Sequence, residues 1–342
     1  MKIIDKITEV GVALIFFNRP KPLAQVFEAL RRIKPKKLFL IQDGARIGNE
    51  IDALKIEECR KIVENVDWEC EVHRNYATDN LSCDHRVFTG ISWAFEFVDR
   101  LIILEDDCIP ADSFLPFCAD VLEKYKDDER IHMISGMNYF DSFNGTDDSY
   151  FFSNVAAGWG WATWKRTWDK ICEEKNFDYL LSGNTADVLN EYIKEHGLKV
   201  KGIMDFVSVT RRLREENLKS NKVISWEYSI GLIMFLYSSM IITPKYNLIT
   251  NVGLTDDSTH AVNSLKKLDS QTQKLFFKKR FEIEFPLKHP KYVVRNVEYE
   301  KLHRKLVGGN GFVRFSRRIE SIVRQLVYSS MSERKKMIKK IF

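Results

Sequence analysis

The chain has 342 residues and a formal net charge of +5, with 44% hydrophobic and 30% charged residues. That is the composition of a globular protein with ample core, and 16 Gly and 8 Pro argue against long disordered or linker tracts. From Phe312 onward nine Lys or Arg face two Asp or Glu, so the basic excess belongs to the tail and not to a folded nucleic-acid-binding body.

The cysteines at 59, 70, 83, 108, 118 and 172 form no CxxC pair, which speaks against a structural zinc site. The opening Met-Lys-Ile-Ile-Asp lacks the apolar run of a signal peptide. The longest apolar stretch, Ile230 to Tyr237, falls far short of the roughly 20 residues of a spanning helix. A cytoplasmic protein with reduced thiols is expected.

Taken in chain order, Val10 to Phe17 predicts a buried strand. Pro20 then opens a helix on which Leu23, Val26, Phe27 and Leu30 recur at helical spacing. Lys37 to Gln42 predicts a second strand, stopped by Asp43-Gly44. A helix over Ile51 to Val66, a third strand over Trp68 to His73, an amphipathic helix over Val87 to Phe97 and a fourth strand over Leu101 to Leu104 follow. Strand and helix alternating at about 25–30 residues is the βαβ pattern of a mainly parallel sheet. Ligands bind such sheets beyond the carboxyl ends of the strands. Asn18-Arg19, Asp43-Gly44 and Glu105-Asp106-Asp107 all fall at such ends.

The middle of the chain is less regular. Ile131 to Ser135 predicts a strand, and residues 141–149 a loop. Helices are expected near 185–195 and 203–217 and from Trp226, with short strands over Met240 to Thr243 and Tyr246 to Thr250. In the tail Phe312, Phe315, Ile319, Ile322, Val323, Leu326 and Val327 recur at helical spacing, interleaved with Arg314, Arg317, Arg318 and Arg324. Such a basic amphipathic helix suits either an anionic membrane surface or packing on the domain with a solvated basic face.

The chemistry concentrates in a few places. Three adjacent carboxylates after a buried strand repel one another and favour a cation, unless they are a bare acidic turn. Mg²⁺ or Mn²⁺ held by one or two carboxylates keeps places for a diphosphate leaving group. Arg19, at a helix start, can face phosphate or a base edge, or simply solvent. Asp43 can accept hydrogen bonds from a base or ribose, or only close a turn. Trp159, Trp161, Trp164 and Trp168 can stack on a sugar face or fill the core, and at least half are expected to be core. Glu227, between Trp226 and Tyr228, has the surroundings of a general base or of a surface Glu on an amphipathic helix. His260, in a polar loop after a strand, is a metal or diphosphate contact or a solvated histidine.

In this order the residues resemble bacterial family-2-like glycosyltransferases of the GT-A fold and, more distantly, the Golgi N-acetylglucosaminyltransferase I family. The shared pattern runs from Arg19 and Asp43 through Asn80 to Ser82, His85-Arg86 and Glu105-Asp106-Asp107. It continues through Gly158 to Trp161, Trp226-Glu227 and Gly253 to His260, covering roughly residues 9 to 262. The resemblance implies a Rossmann-like nucleotide-diphospho-sugar transferase fold over 1–275, about 1–110 binding the nucleotide and 111–275 the acceptor. Residues 276–342 would form a C-terminal helical extension.

The resemblance also implies inverting transfer from a nucleotide diphosphate sugar, usually UDP-linked, to a saccharide or lipid-linked acceptor in surface-polysaccharide or lipopolysaccharide assembly. By the same carry-over Asp107 and His260 ligate Mn²⁺ or Mg²⁺, and Glu105 and Asp106 contact ribose or sugar. Arg19 and Asp43 hold uracil, and His85 and Arg86 line the nucleotide pocket. Trp159, Trp161 and Trp226 face the acceptor, and Glu227 is the base. The family pattern has Asp where this chain has Glu227; Asp256 and Asp257 are the alternative carboxylates. A sugar nucleotidyltransferase would need a Gly-rich phosphate loop, which Phe16 to Lys21 lacks. A non-catalytic nucleotide-sugar-binding paralogue would draw its only support from the Glu at 227. Peripheral contact with an anionic inner membrane face is expected from the tail, and no nucleic acid partner.

Overall fold

A computed structural model of the protein describes residues 10–155, 157–175, 206–223, 225–254, 265–307 and 311–329. The elements begin β1 (Gly11–Phe16), α1 (Pro20–Ile33), β2 (Lys37–Gln42), α2 (Glu50–Val63), β3 (Glu71–Tyr76), α3 (Cys83–Ala94) and β4 (Arg100–Glu105). They continue with β5 (Cys108–Pro110), α4 (Phe114–Lys124), β6 (Ile131–Ser135), β7 (Tyr150–Ser153), β8 (Trp161–Trp164) and α5 (Lys165–Glu173). After these come α6 (Phe206–Ser220), α7 (Trp226–Leu236), β9 (Met240–Pro244), β10 (Ile249–Asn251), the single turn α8 (Ser270–Gln273), α9 (Val297–Val307) and α10 (Gly311–Tyr328).

Eight strands make one sheet in the order β3-β2-β1-β4-β8-β6-β9-β7. The chain is therefore mixed α/β, with a large central sheet flanked by helices. The half from β3 to β4 is parallel throughout. Beyond it β8 runs antiparallel to both β4 and β6, β9 is parallel to β6, and β7 is antiparallel to β9. The expectation of a mainly parallel sheet is corrected to a mixed one. The strand that breaks the pattern, Trp-Ala-Thr-Trp of β8, carries too short a period to be read in advance.

Both faces of the sheet are covered, so β1, β2 and β4 are apolar through their middles. Val12, Leu14, Leu38, Leu40, Ile102 and Leu104 face α1, α2 and α4. The alternate residues Ala13, Ile15, Phe39, Ile41, Leu101 and Ile103 face α3, α5 and α7. Strand β3 starts three residues later than the expected Trp68 to His73. Trp68 instead packs on Phe27 and donates its indole N–H to Pro35 O at 2.8 Å, and the ladder begins at Lys37↔Glu71. The expected strand over Tyr246 to Thr250 shortens to β10, because Asn247 turns inward to Ile249 O and Lys279 O. The helix expected near 185–195 lies outside the described residues. Position 275 marks no break in packing: Ile283 and Leu287 join the main core, and Glu282 accepts from Ser113 N at 2.8 Å.

Candidate active site

The site grows from the carboxyl ends of β1, β2 and β4, which the parallel register brings side by side. Glu105 ends β4 opposite Ile15, and the chain turns through Asp106 and Asp107 into β5. Arg19 reaches across from the start of α1 and bridges two of these carboxylates. One guanidinium nitrogen pairs with Asp106 Oδ1, another with Asp107 Oδ2 at 3.0 Å. Phe17 N also donates to Asp106 Oδ2, at 3.4 Å.

Asp107 is held from its far side. Asn251 Nδ2 donates to its Oδ1 at 3.2 Å, and Val252 N donates to its carbonyl at 2.9 Å. Gly253 passes so close that a Cβ there would overlap the Asp107 carboxylate, so only glycine fits.

One guanidinium against three carboxylates leaves the cluster short of positive charge. Burial first, then the charges of Asp107 and Asp106, push the Glu105 carboxyl up to about 8. Asp106 is also raised, chiefly by burial, against the opposing pull of Arg19. For Arg19 burial works against the charge, yet Asp106, Asp107 and Glu105 outweigh it and hold the guanidinium above its ordinary value.

A cavity of about 290 Å³ opens beside this cluster, lined among others by Phe17, Arg19, Asp43, Arg86, Glu105 and Asp106. Asp43 is present but engaged. Its Oδ1 accepts from Gly44 N at 3.0 Å and Leu81 N at 2.8 Å, and its Oδ2 from Asn80 Nδ2 at 3.0 Å. It therefore ties the 80–82 loop to the end of β2. Gly44 makes this possible, because a Cβ there would overlap the Asp79 backbone. Ser82 sits at φ 72° and ψ 156°, a left-handed strained conformation at the cavity rim, just before α3.

Arg86 lines the cavity while binding the strand ends, with Nε to Gln42 O at 3.1 Å and Nη2 to Asn75 O at 2.5 Å. Cys83 lies on the same wall. Its side chain is exposed at the rim.

His85 is corrected: it does not line this cavity. Its Nδ1 accepts from Val223 N at 3.2 Å, and the ring borders a separate hollow with Asn217 and Lys222. Helical geometry accounts for this, since residues 85 and 86 point about 100° apart around α3.

A second cavity of about 280 Å³ lies toward α7, and its described walls include Met133, Met137, Tyr139, Trp159, Glu227 and Leu275. Trp226 also lines it, and Trp159 packs on Phe276 with centroids 4.9 Å apart. Trp161 is corrected to a core residue. It lies in β8 at 1% exposure and stacks on Trp226 at 5.6 Å and 10°. Trp164 and Trp168 are core as well.

Glu227 lines this second cavity. Its Oε1 would lie 3.2 Å from a Cβ built on Gly158. Tyr139, in the same wall, has its hydroxyl raised by burial and then by the Glu227 charge. The α7 start that carries Glu227 is fixed by Asp84, which accepts from Trp226 N at 3.2 Å.

Tyr139, Asp84 and Arg46, the last paired with Asp52 at 2.6 Å over the Phe17 ring, escaped sequence reasoning. Only the Gly136 to Tyr139 stretch after a strand offered a signal. His260, Asp256 and Asp257 lie outside the described residues.

Among the described residues no three His, Cys, Asp or Glu side chains form a metal-binding group. Asp107 already has partners on both oxygens, Arg19 at Oδ2 and Asn251 at Oδ1, so a cation there would have to displace one of them.

No protein-family model matches the chain, and no curated protein does. Among solved structures, HddC from Yersinia pseudotuberculosis is similar at 10% identity and a TM-score of 0.28, over 46% of this chain and 77% of that one. A likeness that slight carries no argument about chemistry.

Proposed function

We propose that this protein is a GT-A-type glycosyltransferase that moves a sugar from a nucleotide diphosphate donor, UDP-linked by resemblance, to a hydroxyl of a saccharide or lipid-linked acceptor. The observation that carries this reading is the cavity at the carboxyl ends of β1, β2 and β4, where Arg19 bridges Asp106 and Asp107 beside Glu105. Glu227, in the wall of the second cavity, is the base for an acceptor seated there.

In the transfer, Glu227 takes the proton of the acceptor hydroxyl as the oxygen bonds to the anomeric carbon. The bond from that carbon to the diphosphate oxygen breaks, and its electron pair leaves with the nucleoside diphosphate. The configuration inverts because attack and departure are in line. Arg19 and Asp106 face the donor from the ends of β1 and β4, while Asp43 and Arg86 shape the nucleotide cavity. Mn²⁺ or Mg²⁺, held by Asp107, would neutralise charge on the departing diphosphate. Trp159 and Trp226 offer ring surface to the acceptor.

The test is thermal unfolding with UDP and a panel of nucleotide sugars, with and without Mn²⁺, beside Asp107→Ala. A ligand at about 100 times its Kd stabilises the fold by about 2.7 kcal/mol. A UDP-type ligand that needs Mn²⁺ in the wild type and fails in the variant supports the reading. No shift with any nucleotide would sink it.

A further inference from the structure

The C-terminal helix α10 is mounted with its apolar face outward. Phe315, Ile319, Val323 and Val327 recur every fourth residue and form one stripe. They are 62%, 45%, 51% and 57% exposed. The helix meets the body through its polar side instead. Glu320 accepts from Ser270 N at 3.0 Å and Ser270 Oγ at 3.2 Å, and Arg324 Nε donates back to Glu320 at 2.8 Å. Arg317 donates to Leu306 O at 2.7 Å at the end of α9.

This is the reverse of an ordinary surface helix, which buries its apolar stripe and wets the charged face. A stripe of four large apolar residues left in water needs an external phase or partner to cover it. Charge decides which. From Phe312 onward nine Lys or Arg stand against two Asp or Glu, and Arg318, beside the stripe, is exposed. Two copies of so basic a segment would repel one another, whereas an anionic surface attracts it. No helix of the described residues is long and apolar enough to cross a membrane, so the contact would lie in the interface plane.

We infer that α10 docks on an anionic lipid surface, its Phe315–Val327 stripe sunk among the acyl chains and the exposed Arg318 beside it on the headgroups. The inference is independent of the sugar-transfer reading. It bears on the second cavity all the same. Ser270, which Glu320 holds, begins the segment that runs on to Leu275 in the wall of that cavity and to Phe276 on Trp159. A lipid-bound α10 thus anchors one wall of the proposed acceptor site.

The experiment is co-sedimentation of the full chain, without nucleotide, with vesicles of phosphatidylglycerol and phosphatidylcholine or of phosphatidylcholine alone. Ile319→Glu/Val323→Glu and Arg318→Glu variants run alongside. Wild type should partition to the anionic vesicles and be released by high salt. The double variant should lose roughly a hundredfold in partitioning, and the Arg318 variant roughly tenfold. Both substituted faces are exposed, so the unfolding midpoint should not move, and that is measured too. Partitioning of the double variant like wild type overturns the inference. So does absence of wild-type binding to anionic vesicles. A dimer by analytical ultracentrifugation that Ile319→Glu/Val323→Glu dissolves, without vesicle binding, would reassign the stripe to self-association.

Discussion

The two cavities are built on opposite plans. The first stands on parallel strand ends, and its polar groups already satisfy one another: Arg19 with Asp106 and Asp107, Asp43 with the 80–82 loop, Arg86 with Gln42 O and Asn75 O. A ligand there must trade new bonds for existing ones, which favours a charged, geometrically exact partner. The second cavity is walled by Met133, Met137, Ile230, Leu275 and indole rings, with few polar side chains. A ligand there would be selected by shape and apolar contact, which discriminates weakly. On the sugar-transfer proposal, the contrast would suit one exacting donor and a more adaptable acceptor.

The sharpest way to break that division is at Glu227. Glu227→Gln should lower turnover by about 10²–10⁴-fold while leaving nucleotide stabilisation intact. Loss of nucleotide binding in the same variant, seen by thermal shift, would show the cavities to be one site. A smaller effect should follow from Gly44→Ala, whose Cβ has no room beside Asp79. It should cost about 1–3 kcal/mol of stability and weaken nucleotide binding by isothermal titration. Tryptophan fluorescence from the second cavity should not change.

A pH-dependent effect should be confined to Glu105. Its ordinary value is 4.5 and its folded value about 8. The stability this group contributes is therefore whole below about pH 4.5 and is lost as pH rises through about 8. Glu105→Gln should match wild type at the acid end and unfold at higher temperature above pH 8. The gain is roughly 2–4 °C for each kcal/mol recovered. A midpoint difference that does not vary with pH would remove the charge-crowding account of this cluster.

The same contrast marks what the sequence could show. Strands β1, β2 and β4 are buried on both faces, so each is an apolar run ended by polar residues. The grouping of Arg19, Asp43 and Glu105 was legible because the parallel register brings those ends together around one cavity. The second half was not legible in that way. Trp161 and Trp226 read alike as candidate platforms, and only the placing of β8 between β4 and β6 sends Trp161 into the core. His85 and Arg86 are adjacent in sequence yet serve different hollows, a separation made by helix rotation and by where Val223 arrives. The periodicity of 312–327 announced an amphipathic helix, but which face turns outward depends on Glu320 finding Ser270, 50 residues away.

The opening turn of α3 has a further consequence. Asp84 receives the first amide of the helix that bears Glu227, His85 receives Val223, and Arg86 clasps the ends of β2 and β3. Three successive residues thus act as a common bearing for parts on which both substrates would rest. Free energies of substitution on the two sides should then fail to add when one member of the pair lies in this turn. An Asp84→Ala/Arg86→Lys cycle would measure, as a coupling energy, how far the molecule treats its two cavities as one machine.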